Sequence, residues 1–389
     1  MIERRKHQDI PRVESGIGGS GEGCRFKKIL VVRPDRLGDV ILSTPVFEVL
    51  KKHFPRTQIT ALVKTPVVPV LKGLPEIDQL MIFDPEKNHL GMKGFLRLCR
   101  ELRDANYDVA LVLQSHWKIA AALFFARIRF RIGPLSKPHS FLFYNRGVRQ
   151  KRSHVEMHET DYNLQLLRVL GIRVGSRNIA TRVHISPEVK EAARKWLLEK
   201  NWNPDRPLIL VHPGMGGSAL NWPESHYQDL IRSLVQEGHP VLVTGGPAEG
   251  ELLDRIEKGL GSASQSVIFY RAQPENQVDF LGALCSFAAV AVAPSTGPLH
   301  LAVAVNTPVV TFYPPIRVQS ALRWGPYLPD ETRASILVPE IYCGQDFKCL
   351  GNMCNYFPCM KGLTVEQTLT QVRQQLQSKS KESPVHVLP

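Results

Sequence analysis

No apolar run in this 389-residue chain is long enough to span a bilayer. Nor do the first 28 residues hold the apolar core of a signal peptide: they are polar, carry Gly16, Gly18, Gly19, Gly21 and Gly23, and read as a flexible tail on a cytoplasmic protein. There is no short internal repeat. No recognised nucleic-acid motif accompanies the formal charge of +13 (49 Lys and Arg against 36 Asp and Glu), so a basic nucleic-acid-binding protein is poorly supported. The excess speaks for anionic partners such as phosphate-bearing substrates or anionic lipid. Acidic residues are missing altogether from 118–152, where nine basic residues interleave with Phe124, Phe125, Phe130, Phe141, Phe143 and Tyr144. A solvated face normally mixes the two signs, which makes this segment a candidate contact surface.

What is present is a long alternation of strands and helices. With 43% hydrophobic residues the chain can bury two cores, each in its own domain. Strands are expected at 29–32, 58–63, 79–83, 107–114 and 128–132, with helices at 40–53, 65–72, 90–103, 118–126 and 156–170. Ser186 and Pro187 open another helix over 188–199, and the polar NWNPDRP stretch after it marks a boundary. The alternation then restarts, with strands at 208–212, 240–244, 266–269, 288–293 and 308–312 and helices at 224–237, 248–258, 276–285 and 297–305. The expected division is a tail (1–27), a doubly wound domain (28–185), a linker (186–206), a second doubly wound domain (207–342), a cysteine-rich segment with a final helix (343–377) and a tail (378–389).

Three turns at the carboxyl ends of strands hold the chemistry, because open α/β sheets bind ligands there. The first, RPDRLGD, packs Arg33, Asp35, Arg36 and Asp39 into seven residues at a helix mouth. A helix-start aspartate is most often only a cap. So much charge exceeds what a cap requires, and the second reading is a carboxylate oriented by neighbouring arginines to take a proton. The next turn, HPGMGGSALNWP, carries Gly214, Gly216, Gly217 and Ser218, whose backbone can approach a ligand closely and point N–H groups at phosphate oxygens. Its spacing is neither the dinucleotide fingerprint nor the Walker loop, and a plain turn is equally open. The third, APSTGPLH, ends a strand at Pro294 and begins a helix capped by Ser295 or Thr296, with Gly297 and His300 on its first turn. A helix amino end suits a pyrophosphate; His300 is either a structural histidine or a phosphate or sugar donor.

In order and separation, RPDRLGDVILSTP, HPGMGGSALNWPESHY and STGPLHLAVAVNTPVV resemble the heptosyltransferase-type glycosyltransferases of family nine, across nearly everything from Lys28 to about Val372. The resemblance implies an α/β GT-B fold: two Rossmann-like, doubly wound domains facing across a cleft, acceptor on the first and nucleotide sugar on the second. It implies inversion at the sugar carbon, no metal requirement, a donor such as ADP-heptose, and a glycolipid or oligosaccharide acceptor such as lipopolysaccharide core at the inner face of the bacterial membrane. Asp39 stands at the family's Gly-Asp position and resembles its general base, with Arg33, Arg36 and Lys118 as acceptor contacts. Thr296, Gly297 and His300 match the donor-phosphate helix and would stabilise charge on the leaving diphosphate; Trp222 and Pro223 match the Trp-Pro after the glycine turn, and Trp222 and Asn221 join Gly214, Gly216, Gly217, Ser218 and Ser295 as expected donor contacts. Two positions depart from the family pattern. Leu220 replaces a donor-contacting lysine, whose work then falls to Ser218, Asn221 or an arginine of the first domain, and Ser295 replaces an aspartate that reaches the donor sugar. The final helix of GT-B folds often crosses back to the first domain, and 364–377 is the segment placed to do so.

Residues 118–152 fall in the acceptor domain and are expected to meet phosphorylated glycolipid or the anionic membrane surface, as in a peripheral protein. An ordinary basic exterior is the plainer account. Cys343, Cys349, Cys354 and Cys359, separated by five, four and four residues, are open to structural zinc or to thiols alone. A nucleotide-sugar epimerase shares the two-domain plan and is the alternative enzyme; it would need no acceptor.

Overall fold

The computed structural model describes residues 26–217, 219–273 and 278–381. Residues 1–25 and 382–389 of the expected tails, Ser218 and the start of the helix expected at 276 lie outside the described residues. Both tails are shorter than expected, since Phe26 is buried in the first core and the last helix runs to Lys381.

The first half runs β1 (Lys28–Val32), α1 (Leu37–Ile41), α2 (Thr44–His53), β2 (Gln58–Val63), α3 (Val68–Leu71), β3 (Gln79–Ile82), α4 (Gly91–Ala105) and β4 (Val109–Val112). It continues through α5 (Trp117–Phe125), β5 (Phe130–Pro134), α6 (Pro138–Phe143), β6 (Arg146–Val148) and α7 (Glu159–Gln165). Then come α8 (Pro187–Glu199), β7 (Leu208–Val211), α9 (Glu224–Gln236), β8 (Val241–Gly245), α10 (Gly250–Leu260), β9 (Val267–Arg271) and α11 (Val278–Phe287). The second half closes with β10 (Ala288–Pro294), α12 (Gly297–Ala304), β11 (Val309–Phe312), α13 (Ala321–Trp324), β12 (Ala334–Leu337) and α14 (Val365–Lys381).

Each half builds a six-stranded sheet, in the orders β3-β2-β1-β4-β5-β6 and β12-β11-β10-β7-β8-β9. Every pairing is parallel. Counted from the first strand of each half, the two orders are one topology, with the reversal between β1 and β4 in one lobe and between β7 and β10 in the other. That reversal opens a crevice at the carboxyl ends of those strands. Helices cover both faces, so β1 sends Ile29 and Val31 into one apolar cluster and Leu30 and Val32 into another.

Several elements differ from the sequence reading. The helix expected over 40–53 is two helices, α1 and α2. Pro45 sits in the first turn of α2, where its missing N–H costs nothing, and the Ser43 hydroxyl donates to the Asp39 carbonyl at 2.7 Å. The edge strands β6 and β12 and the short helix α6 had no sequence signal of their own. The last helix, α14, stays on the second lobe: Leu369 and Val372 enter its core, and Arg373 pairs with Glu237 at 2.6 Å. Among the described residues no helix is long and apolar enough to cross a membrane.

The lobes meet where α1 lies on α12. Two glycines permit the approach: a Cβ on Gly38 would stand 2.8 Å from His300 Cδ2, and one on Gly297 would stand 3.2 Å from Leu37 Cβ. Ile41 and Val70, both from the first half, pack into the apolar core of the second.

Candidate active site

The turn after β1 is held from beneath by one buried cation. Arg33 is 1% exposed and reaches Asp39 at 2.7 Å, Asp35 at 3.0 Å and Glu159 at 3.3 Å. Burial works against the Arg33 charge, but Asp39, Glu159 and Asp35 outweigh it and hold the guanidinium above its usual value. Glu159, in the first turn of α7, is as deeply buried, and also accepts from Arg152 at 2.5 Å and from Arg323 of the second lobe at 3.3 Å. Burial would raise its carboxyl, yet Arg152, Arg33 and Arg323 together keep it below the usual range. Arg152 is pushed down to about 10, chiefly by burial, and so stays charged at neutral pH. Three guanidiniums thus balance three carboxylates; Glu159 is sealed in, while Asp39 and Asp35 keep about 24% and 29% of their side chains exposed.

Across the cleft, β10 ends at Pro294 and α12 begins. Thr296 occupies the N-cap with extended backbone and no capping bond from its hydroxyl, so the first N–H groups of the helix are free to meet an anion. His300, one turn in, is buried. Burial, reinforced by His158, lowers its pKa to about 3, which makes it a neutral imidazole at physiological pH; its Nδ1 has no hydrogen-bond partner. Arg36, Gly38 and Asp39 from the first lobe and Ser295, Thr296, Gly297 and His300 from the second line a single cavity of about 420 Å³. Ala219, Val318, Gln319, Arg323, Trp324 and Phe347 complete its wall.

A second cavity of about 650 Å³ adjoins it through Arg323. Its lining carries Ser115, Ser136, Lys137, Phe141, Arg149, Lys151 and Arg152, and no acidic side chain.

Not every residue expected at the site reaches it. Arg33 is sealed beneath Asp39 and cannot present itself to an acceptor. Lys118 lies on α5 beside the Trp117 ring, lining neither cavity. Asn221 spends its amide on the glycine turn: Nδ2 donates to the Pro213 carbonyl at 2.7 Å, while Oδ1 accepts from Trp222 N–H and the Tyr227 hydroxyl at 2.8 and 2.9 Å. Trp222 is a core residue, stacked on Phe312 with its indole N–H given to the Leu363 carbonyl at 2.8 Å. Leu220 packs against the same core. Gly214 is buried against Glu249, whose carboxylate a Cβ would strike, whereas Gly216 and Gly217 are open to solvent and Gly217 has φ +73°. The four clustered cysteines are free thiols; burial and then the neighbouring Cys349, Cys343 and Cys354 raise the Cys359 pKa. Among the described residues no group of three or more His, Cys, Asp or Glu side chains is placed to hold a metal ion.

The sequence reading missed Glu159, Arg152 and Arg323. A hint was available: basic residues run unopposed through 118–152, so any of them that is buried must find its carboxylate elsewhere, and the acidic start of α7 is the next place along the chain. A strap over 320–331 also carries the second lobe to the first. His158 donates to the Gly325 carbonyl at 3.0 Å, and Tyr327 donates to Asp161 at 2.7 Å while accepting from the Arg177 N–H.

Two doubly wound sheets that bring their switch-point turns to one cleft define the GT-B class of glycosyltransferases. The chain belongs to glycosyltransferase family 9 (heptosyltransferase), whose family model matches residues 95–356. It is 31% identical over 306 residues to a Haemophilus influenzae protein named only as a glycosyltransferase, covering 77% of this chain and 86% of that one. Identity to lipopolysaccharide heptosyltransferase 2 of Salmonella typhimurium is 27% over 292 residues, covering 74% and 83%. The structure of E. coli ADP-heptose lps heptosyltransferase II superposes with a TM-score of 0.72 at 22% identity, covering 91% of this chain and 99% of that one.

Proposed function

We propose that this glycosyltransferase moves a heptose or related sugar from an ADP-type nucleotide-diphosphate donor to a hydroxyl of a glycolipid or oligosaccharide acceptor such as lipopolysaccharide core, working in the cytoplasm at the inner membrane face. One observation carries the reading: Asp39 and the free amino end of α12 line the same cavity from opposite lobes. The names of the related heptosyltransferases support the choice of donor and acceptor.

In the proposed reaction the acceptor hydroxyl gives its proton to the Asp39 carboxylate as its oxygen attacks the anomeric carbon. The bond from that carbon to the β-phosphate oxygen breaks on the opposite face, which inverts the centre. Charge developing on the departing diphosphate meets the α12 N–H groups, the Thr296 hydroxyl and a neutral His300, with Arg36 and Arg323 at the cavity wall supplying the positive charge. This assignment gives the task of the missing lysine to arginines. No metal is required in this scheme. The cation-lined second cavity receives the acceptor, and its lack of acidic side chains suits a phosphorylated or carboxylated sugar.

A thermal-shift panel of ADP, UDP, GDP and their sugar conjugates tests the donor, since a ligand at a hundred times its dissociation constant stabilises by about 2.7 kcal/mol. ADP and ADP-heptose should raise the melting temperature above all others. A response confined to UDP or GDP compounds would sink the donor assignment.

A further inference from the structure

The first lobe carries a face that the cleft does not use. Helices α4, α5 and α6 lie side by side over one side of the sheet, sharing the apolar cluster beneath Leu30 and Val32. Their outer surface leaves Met92, Leu96, Trp117, Phe125, Phe141 and Leu142 more than half exposed. Trp117 and Phe124, the latter 43% exposed, are seven residues apart on α5, two turns along one stripe. An isolated soluble surface seldom gathers so many large apolar side chains.

Around them stand exposed Lys93, Arg97 and Arg100 on α4 and Arg127 and Arg129 just past α5. Acidic side chains are scarce here. Glu101 and Asp104 sit in the final turns of α4, Glu101 paired with His89, and no acidic residue follows between Asp108 and Glu156. Aromatic and aliphatic side chains ringed by cations match the headgroup region of an anionic bilayer, where indole and phenyl rings settle at the interface and cations meet lipid phosphates. Phe141 of this surface, with the exposed Arg149 over its ring at 5.9 Å, also lines the cation-rich cavity that shares Arg323 with the cleft, as does Arg149 itself.

We propose that α4, α5 and α6 form a docking face for an anionic lipid bilayer, which delivers a membrane-anchored acceptor to the cavity beside Arg323. The delivery step rests on the function proposed above; bilayer binding does not. The full chain should co-sediment with vesicles of phosphatidylethanolamine and phosphatidylglycerol, bind phosphatidylcholine vesicles weakly, and release as salt rises. The double variant Trp117→Ser/Phe125→Ser should lower partitioning about tenfold, as should Arg127→Glu/Arg129→Glu, with melting temperature and ADP-induced shift unchanged. Absence of binding to the anionic vesicles at low salt overturns the inference, and so does undiminished binding by the Trp117/Phe125 variant. A wild-type ADP shift without vesicle binding refutes the docking face and leaves the transferase reading; vesicle binding without any nucleotide shift does the reverse.

Discussion

The two lobes share one sheet order and place their polar groups at turns beside the switch point, after β1 in one and β10 in the other, yet they handle charge by opposite means. Beneath the first cleft wall lies a buried set of full charges, Arg33, Arg152 and Glu159, joined by Arg323 from across the seam. The second wall is built from helix N–H groups, the Thr296 hydroxyl and a neutral His300. On the proposed reaction this difference follows from what each wall faces. A carboxylate that must take a proton needs a fixed direction, which paired ions supply. A diphosphate arrives charged already, and oriented dipoles can hold it without the cost of burying another ion.

The largest expected effect falls on the first wall. Asp39→Asn keeps the size and the Arg33 neighbour but cannot accept the proton, so turnover should fall by about two to four orders of magnitude, while the ADP-induced thermal shift persists. Preserved turnover, measured as ADP release with acceptor present, would break the division of labour between the lobes. Glu159→Gln comes next. It leaves three guanidiniums facing a neutral amide in a buried site, and denaturant unfolding should report a loss of about 3–5 kcal/mol. A loss below about 1 kcal/mol would mean that the ions are well solvated without it.

Acid sharpens the comparison at the seam. His158 is held down to about 4 and His300 to about 3, against an ordinary 6.5, mainly by burial. Because the folded values lie below the unfolded one, their contribution is complete above pH 6.5 and is lost as pH falls toward those values. By pH 5 each should have cost about 2 kcal/mol. For His158 the reason is visible: Nδ1 accepts the Thr160 N–H at 3.1 Å while Nε2 donates to Gly325, so a second proton breaks the cap that begins α7. The His158→Asn/His300→Asn double variant should flatten the pH dependence of the melting temperature; an unchanged slope would assign the acid loss to other groups. Gly38→Ala is expected to be milder, about 1–3 kcal/mol, since the new methyl meets the His300 ring. Gly216→Ala is its control, because nothing lies within 4 Å of the added carbon. Equal melting temperatures for the two would show that the seam opens freely.

The order of the elements was legible because strands buried on both faces read as unbroken apolar runs, KILVV in β1 and LILV in β7 among them. β6, three residues with a central glycine, and the partly exposed β12 give no such run. The turns bearing Asp39 and Thr296 were equally readable, since a strand, a turn and a helix mouth are consecutive in the chain. The carboxylate that ties Arg33 was not. Glu159 is 126 residues from Arg33 and 164 from Arg323, and only the folded arrangement of the lobes shows that one buried carboxylate serves both. Motif likeness also misled in a specific way. Trp222 and Asn221 follow the glycine turn in sequence and were read as donor contacts, but their polar groups are spent on the backbone and on Tyr227.

That correction supplies the smallest effect and the finest test of the contrast between lobes. Trp222→Phe removes the indole N–H from the Leu363 carbonyl but keeps a ring that can stack on Phe312. The hydrogen bond lost is a neutral one with a buried acceptor, so the cost should be about 1 kcal/mol in unfolding. Because the indole anchors the turn from the core side and does not line the cleft, the affinity for ADP should stay within about twofold, which is under about 0.4 kcal/mol. A tenfold weaker nucleotide affinity with unchanged stability would return Trp222 to the donor site. The second wall would then depend on an aromatic contact as well as on dipoles, and the contrast with the ion-built first wall would have to be redrawn.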